Sequence, residues 1–438
     1  MNAKALQVAL VSFLAVIWSS AQPQPGTILW IYDCGSQFSP AVAPDGTIYL
    51  TGTGLHAVTN AGTFASNKWS FAADITSSPA IGDDGTIYCG GYRGFYAVNP
   101  NGTLKWLYPL SRQAGSPAMA FDRTIYFQSE EYLYALTEAG TLKWKSAMTF
   151  LGSYSAPTIG LDGTIYVGSS DEPNLYAFNA DGTQKWVREL ESPCGGSPAV
   201  GLDGTVYITG GYLYAFTPDG MKLWNSGYFF GASPTVAKEG MIYIALKDFP
   251  GPLYRVSPSG VPLLTDATEK IRYTTPKCAA IDVGGTVWYC ASNMVWALDA
   301  EGHALPWSQV IDDGYWSPET SPVIGPDGTL FFTRGSRLYA IATGTKGPAD
   351  SAWPMYRGNF RHTGKVEKPS LLNSQRRKDA NFEFQLYSQL GQTNTLETTT
   401  NLSTWSFLTS VVVTNVPMDV LDLTASNAPS RFYRAIAP

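Results

Sequence analysis

From Ser39 to Ile341 apolar residues come in short runs cut by glycine turns, and the runs recur as a set. Ser77-Ser78-Pro79-Ala80-Ile81-Gly82-Asp83-Asp84-Gly85-Thr86-Ile87-Tyr88 aligns with Gly196-Ser197-Pro198-Ala199-Val200-Gly201-Leu202-Asp203-Gly204-Thr205-Val206-Tyr207. Six further copies begin at Phe38-Ser39-Pro40, Gly115-Ser116-Pro117, Ser155-Ala156-Pro157, Ala232-Ser233-Pro234, Thr274-Thr275-Pro276 and Thr320-Ser321-Pro322. The residues after the first turn, Thr47, Thr86, Thr124, Thr164, Thr205, Met241, Thr286 and Thr329, stand 36 to 45 residues apart. Self-similarity at such a period, with strand signals alone, means one small sheet per repeat.

Four strands are predicted in each repeat. Ser-Pro-Ala with Val or Ile is the first, and Asp-Gly-Thr turns into the second, Thr-Ile-Tyr. A variable loop leads to the third, Leu-Tyr-Ala. A second glycine turn, as at Pro100-Asn101-Gly102 or Ala180-Asp181-Gly182, leads to a fourth that ends in Trp. Pro or Asp before Gly is the chemistry of a tight turn with glycine in the left-handed position. The Trp recurs as Trp69, Trp106, Trp144, Trp186, Trp224 and Trp307, with Leu264 at its place in repeat six.

The order of strands predicts closure. Gly26-Thr27-Ile28-Leu29-Trp30 has the form of a fourth strand, yet it precedes the first repeat. Repeat eight has a third strand, Arg337 to Ile341, and no good fourth strand after it. The N-terminal strand should complete blade eight and remove the open edge. The fold class is therefore all-β: an eight-bladed β-propeller over residues 22–345, then a strap and linker over 346–379, and a small C-terminal β-sandwich over 380–438. The sandwich strands are expected at Phe382–Leu386, Thr395–Thr398, Trp405–Leu408, Val411–Val413 and Phe432–Arg434.

Ser-Pro-Ala-Val, Asp-Gly-Thr-Ile-Tyr, Leu-Tyr-Ala-Phe-Asn and Gly-Thr-Leu-Lys-Trp together resemble the repeats of the pyrroloquinoline-quinone-like (quinoprotein-type) β-propeller superfamily. That resemblance implies that the Trp of one blade packs on its neighbour, which makes Trp30, Trp69, Trp106, Trp144, Trp186, Trp224 and Trp307 structural. Trp353-Pro354-Met355 and His362-Thr363-Gly364 resemble a segment that accompanies such propellers in secreted bacterial proteins. A strap packed across the propeller is expected there, with Arg357, Arg361 and His362 as its polar candidates. Thr400 to Trp405 and Arg431 to Arg434 resemble a C-terminal module of many secreted bacterial proteins, which implies surface attachment or sorting.

Composition narrows the function. Charged residues are 15% of the chain, and the net charge of −6 is spread without a basic block, so nucleic-acid binding is excluded. Lys4, the apolar stretch Leu6 to Trp18, and Ser19-Ser20-Ala21 read as a signal peptide over residues 1–21. The stretch would cover about 20 Å as a helix, short of a hydrocarbon core of about 30 Å. An exported monomer is expected, periplasmic, extracellular or at the cell surface, with no transmembrane segment in the mature chain.

The resemblance also raises a quinone- and calcium-dependent alcohol or sugar dehydrogenase. Such an enzyme needs oxygen ligands for the calcium and an Asp base beside the quinone. Catalytic relatives are longer and often carry two adjacent cysteines. Here Cys34, Cys89, Cys194, Cys278 and Cys290 are all separated, and no Cys-x-x-Cys-His haem site exists. His56, His303 and His362 are expected far apart. Asp45, Asp84, Asp162, Asp203 and Asp327 belong to the turns, where they accept backbone hydrogen bonds. No cofactor is therefore expected, and the leading reading is a non-catalytic scaffold that binds a protein partner or a glycan. An outer-membrane assembly scaffold is the further alternative, against which stands the missing lipidated cysteine.

Binding is expected on the face opposite the Asp-Gly turns, where loops vary between blades. That face carries His56, Arg93, Arg112, Glu130, Asp171, Lys247, Arg272, Tyr273, Trp316 and Glu319. Arg112, Arg272, Tyr273 and Trp316 stand just before first strands and are the ligand candidates, a cationic pair with aromatics suited to an anionic or sugar-like group. Counting outward from Val283-Gly284-Gly285 sets Ile281 against Val287, Ala280 against Trp288 and Cys278 against Cys290, a disulfide that export would permit.

Overall fold

Each repeat forms one antiparallel sheet. The computed structural model describes residues 23–36, 38–148, 155–169, 172–194, 196–246, 253–267, 278–291, 293–311, 320–351, 354–359, 361–366, 370–376, 382–387, 393–399, 406–412, 418–422 and 432–436. In blade one, Ala41–Val42 is followed outward by Ile48–Thr51, Leu55–Asn60 and Ala65–Phe71. First strands of neighbouring blades adjoin around the central channel. In blade two, Ile87–Gly91 and Gly94–Val98 are buried on both faces because blades stack on either side, whereas Leu104–Pro109 alternates between exposed and half-buried. This is why middle strands read as apolar runs and outer strands as alternation. In blade five the single run Val206–Phe216 takes the place of second and third strands.

The expected closure is present. Ile28–Asp33 pairs antiparallel with Arg337–Ala342, and the sheet continues through Thr329–Arg334 to Val323–Ile324. Trp30 Nε1 donates to Asn60 Oδ1 of blade one at 3.1 Å, and Asn60 Nδ2 donates back to Asp327 Oδ2 of blade eight at 3.0 Å. On the channel side, the Ser321 amide donates to Ser39 Oγ at 3.2 Å.

Blade-to-blade contact repeats one unit. Trp69, Trp106, Trp144, Trp186 and Trp224 donate through Nε1 to Pro100, Glu138, Ala180, Pro218 and Pro258 carbonyls of the next blade, at 2.8–2.9 Å. Two residues beyond each carbonyl stands a glycine, Gly102, Gly140, Gly182, Gly220 or Gly260, with φ of +79° to +89°. A Cβ at any of these would lie within 3.0 Å of the indole. The other indole face meets the second-strand Tyr of its own blade, with ring centroids 5.6–6.0 Å apart for Tyr49, Tyr88, Tyr126, Tyr166 and Tyr207. The Lys before four of these indoles, Lys68, Lys105, Lys143 and Lys185, bonds the Asp-Thr turn of its own blade. In blade three that turn has no glycine, and Arg123 takes the left-handed position at φ +65°.

Blades six and seven vary this unit. In blade six the register sets Leu263, not Leu264, opposite Arg255, and Thr265 lies against Gly302. The next blade's turn carbonyl, Ala300, instead accepts from Tyr243 Oη at 3.1 Å and Arg255 Nη1 at 2.8 Å. In blade seven Trp307 precedes the fourth strand, Gln309–Val310, yet it still lies against the next blade's glycine, Gly26, and packs on the core of blade eight. Its Nε1 is buried with no hydrogen-bond partner among the described residues, and Gln309 supplies the hydrogen bond, donating to the Gly26 carbonyl.

A strap fills the Asp-Gly end of the channel. The last amides of four first strands, Ile281, Ile81, Met119 and Ile159, donate to Pro354, Arg361, Thr363 and Gly364 carbonyls at 2.8–3.0 Å. Inner-edge amides facing a channel need such acceptors. Met355, Arg357, His362 and Thr363 are buried. Beyond the strap are two small three-stranded sheets: Ser370–Arg376, Phe382–Tyr387 and Met418–Asp422 in one, Ser406–Val412, Thr393–Thr399 and Phe432–Ile436 in the other. Ser370–Arg376 lies in the segment read as linker, Met418–Asp422 was not anticipated, and the two runs around Val411 are one strand. No described helix is long and apolar enough to cross a membrane.

The indole-on-glycine contact makes a direct comparison possible. Gly163 has φ +78° with nothing within 4 Å of a built Cβ, whereas Gly182 has φ +89° and a built Cβ 2.6 Å from Trp144. Gly163→Ala should cost about 1–2 kcal/mol for the left-handed backbone alone. Gly182→Ala should cost about 1–3 kcal/mol more, through displacement of the indole. Urea unfolding of both variants measures this, and equal costs would show that the indole does not need the glycine.

Candidate functional site

The variable loops of blades two and three meet at the mouth of the channel. Blade three enters its first strand through Ser111-Arg112-Gln113, and its second and third strands join through a two-residue turn, Glu130-Glu131, between the paired Ser129 and Tyr132. Glu130 adopts φ +54°, a region in which a residue with a side chain is strained. Its Oε1 accepts from Ser111 Oγ, which ties the turn to the entering loop. Ser129 Oγ donates to the Gln113 carbonyl at 3.1 Å, and Gln113 Nε2 reaches the Thr76 carbonyl of blade two at 3.3 Å.

These loops enclose a cavity of about 580 Å³. Phe38, Tyr92 and Arg112 line it with Gln113, Gln128 and Glu130, serines and threonines of blades two and three fill the gaps, and Tyr356 of the strap also lines it. Tyr92 and Arg112 are exposed, while Gln128 is buried. The Tyr356 phenol stands between Ser78 of blade two and Ser197 of blade five, close enough for both to favour its charged form by hydrogen bonding. Burial and the Cys278 thiol push its phenol up, against the Arg357 charge and those hydrogen bonds. Two wall atoms, Gln128 Oε1 and Thr76 Oγ1, are buried with no hydrogen-bond partner among the described residues. A ligand offering both donors and acceptors would complete them. Glu130 is the one carboxylate on the described wall. Among the described residues no three His, Cys, Asp or Glu are grouped to hold a metal ion.

Of the ligand candidates read from the sequence, Arg112 lines this cavity; Arg272, Tyr273 and Trp316 lie outside the described residues. Gln128 was missed, although the repeat carries its signal. At that place in the second strand the other blades have Thr51, Gly90, Gly168, Thr209, Ala245, Cys290 and Thr333, all small. Tyr92 and Tyr356 were missed because no repeat alignment brings a loop tip and the strap together.

The anticipated register of blade seven holds, with Ala280 opposite Trp288 and Ile281 opposite Val287. The structure holds no bond between Cys278 and Cys290. The ladder ends at Ala280, and the Cys278 amide turns to Ser321 Oγ of blade eight at 3.1 Å. Burial pushes the Cys89 and Cys290 thiols up, and Cys194 up to about 12.

The profile of the PQQ_2 family, described as outer membrane protein assembly factor BamB, matches residues 16–259. The crystal structure of BamB from Moraxella catarrhalis superposes with a TM-score of 0.60 at 18% identity, over 72% of this chain and 97% of that one. The computationally designed Ika8 protein gives 0.58 at 10% identity, over 73% of this chain and 100% of that one. The C-terminal WD40 domain of Sif2 gives 0.58 at 11%, over 72% and 97%. At such identities these likenesses establish the fold alone. No curated protein matches in sequence.

Alkylation should therefore leave Cys89, Cys194 and Cys290 unmodified in the native protein at neutral pH. After denaturation without reductant, peptide mapping should recover Cys278 and Cys290 alkylated. A linked Cys278–Cys290 peptide would contradict the structure.

Proposed function

The chain belongs to the PQQ_2 family, described as outer membrane protein assembly factor BamB, and from that premise we propose that it is an exported, non-catalytic binding scaffold. Its partner is a protein, a segment of which enters the cavity at the channel mouth. The observation that carries this reading is the wall of that cavity, where Gln128 Oε1 and Thr76 Oγ1 are buried with no hydrogen-bond partner among the described residues, in a lining shared with Arg112 and Tyr92. An extended peptide offers N–H and C=O groups in alternation, which suits an amide and a hydroxyl together. Arg112 adds a charged donor at the rim. The name of the family, an assembly factor, supports a protein as the bound species. The basic, apolar and small-residue order of residues 1–21 supports export. A monomer is the form proposed.

A glycan is the second reading, favoured by Tyr92, a residue 61% exposed at the rim that offers a stacking surface. A quinone with its calcium finds less support. Calcium takes six to eight oxygen ligands, and the described wall offers one carboxylate, Glu130, already bonded to Ser111.

A photo-crosslinker at Tyr92 in the exporting host should capture a protein partner, and one at Asp181, on the opposite face, should not. For the peptide identified by mass spectrometry, Arg112→Ala should weaken binding about five- to thirtyfold, the loss of one charge-assisted hydrogen bond. Its melting temperature should stay within about 2 °C of the wild type, as for an exposed side chain outside the core. Asp84→Ala, in a turn of the far face, should lower stability and leave binding intact. Equal capture at both positions, or unchanged affinity in Arg112→Ala, would remove the site from the channel mouth.

A further inference from the structure

Arg357 lies in the strap at the sealed end of the channel, 1% exposed, and its Nε, Nη1 and Nη2 have no hydrogen-bond partner among the described residues. Burial lowers its guanidinium only to about 10, so it is charged at neutral pH. A charge taken out of water without an acceptor is heavily penalised. Among the described residues, the groups beside it bring no compensating carboxylate. Tyr356 precedes it. His362 turns Nδ1 to the Pro79 carbonyl at 3.2 Å, which fixes the ring proton there and leaves a neutral imidazole. Lys365 lies over the Phe121 ring, 4.3 Å from its centroid. Asp83, the carboxylate that the strap does reach, is held by Arg361 Nη1 at 2.6 Å.

The loop is wound to keep the guanidinium in place. Arg357 and His362 adopt φ of +60° and +58°, and Gly358 and Gly364 adopt +81° and +65°. Asn359 fastens the turn, its Oδ1 accepting from the Arg361 and Thr363 amides at 3.0 and 3.2 Å. Gly364 packs closely against the guanidinium, since a Cβ there would lie 3.0 Å from Ala118 Cβ and the Pro157 carbonyl and 3.3 Å from Nη2.

We propose that this end of the channel binds one small inorganic anion of halide size, which accepts from the Arg357 guanidinium and fastens the strap to blades two, three and four. Such a site is separate from the cavity at the mouth and does not depend on what binds there. Its effect would be structural, since anything bound only by the folded chain stabilises it by mass action.

The full-length protein in sodium gluconate would be titrated with sodium chloride or bromide at constant ionic strength. Either halide should raise the melting temperature saturably, by about 2–5 °C. Arg357→Met should lose the dependence. Crystals of the unaltered chain soaked in bromide should show an anomalous peak within hydrogen-bond reach of the guanidinium, a test that holds even where the variant does not fold. A melting temperature indifferent to halide, a variant that responds as the wild type does, or a bromide map without that peak would each overturn the site.

Discussion

An indole laid on a glycine turn is the contact on which the rest of this structure depends. A blade has an apolar face on each side and cannot bury either one alone. The outer Trp solves this for five neighbouring pairs, covering the next blade's glycine turn, donating to a carbonyl of that turn and resting on its own blade's Tyr. Aromatic side chains bury roughly 150–250 Å² when covered, so the indoles, most of them half-buried, add substantially to what holds adjacent blades together. Blades six and seven reach the same result with other groups: a Tyr and an Arg on the Ala300 carbonyl, and a Gln on the Gly26 carbonyl. What persists is a side-chain donor of one blade meeting the neighbour's turn.

Stacking in a ring leaves two ends, and they must meet. The strand Ile28–Asp33 does this by completing blade eight, and Trp30, Asn60 and Asp327 lock the seam from the outside. Closure then divides the labour between the two faces. At the Asp-Gly face six turns share an Asp carboxylate engaged by the Thr of the same blade, four of them also by a Lys, and the strap closes the channel. The other face is free to vary, and there the loops of blades two and three open a cavity over Tyr356. A rigid ring with one committed face and one variable face is suited to recognition.

The fold was legible because its signals repeat. Ser-Pro, Asp-Gly-Thr and Lys-Trp each recur with local reasons, and the stray fourth strand at Thr27 to Trp30 announced the closure. The errors came where counting stood in for register. Spacing aligned Leu264 and Trp307 with the other indoles, but register sets Leu263 opposite Arg255 in blade six and starts the outer strand of blade seven at Gln309. The disulfide was read from the same counting, and Cys278 lies past the end of the described ladder that placed it. The cavity was less legible. Arg112 came from its place before a first strand, and Gln128 could have come from its size among small residues at equivalent positions. Tyr356 could not, because it reaches the mouth from a strap some two hundred residues on in the chain.

If closure holds the ring together, removal of the closing strand should be felt everywhere, not only in blade eight. The decisive measurement is thermal unfolding of a chain that begins at Ser36, compared with the chain that retains Ile28–Asp33. The account predicts a broad, low-temperature transition or aggregation, since the edge of Arg337–Ala342 is left open and Trp30 no longer covers blade one. A sharp transition at the unaltered melting temperature would contradict it.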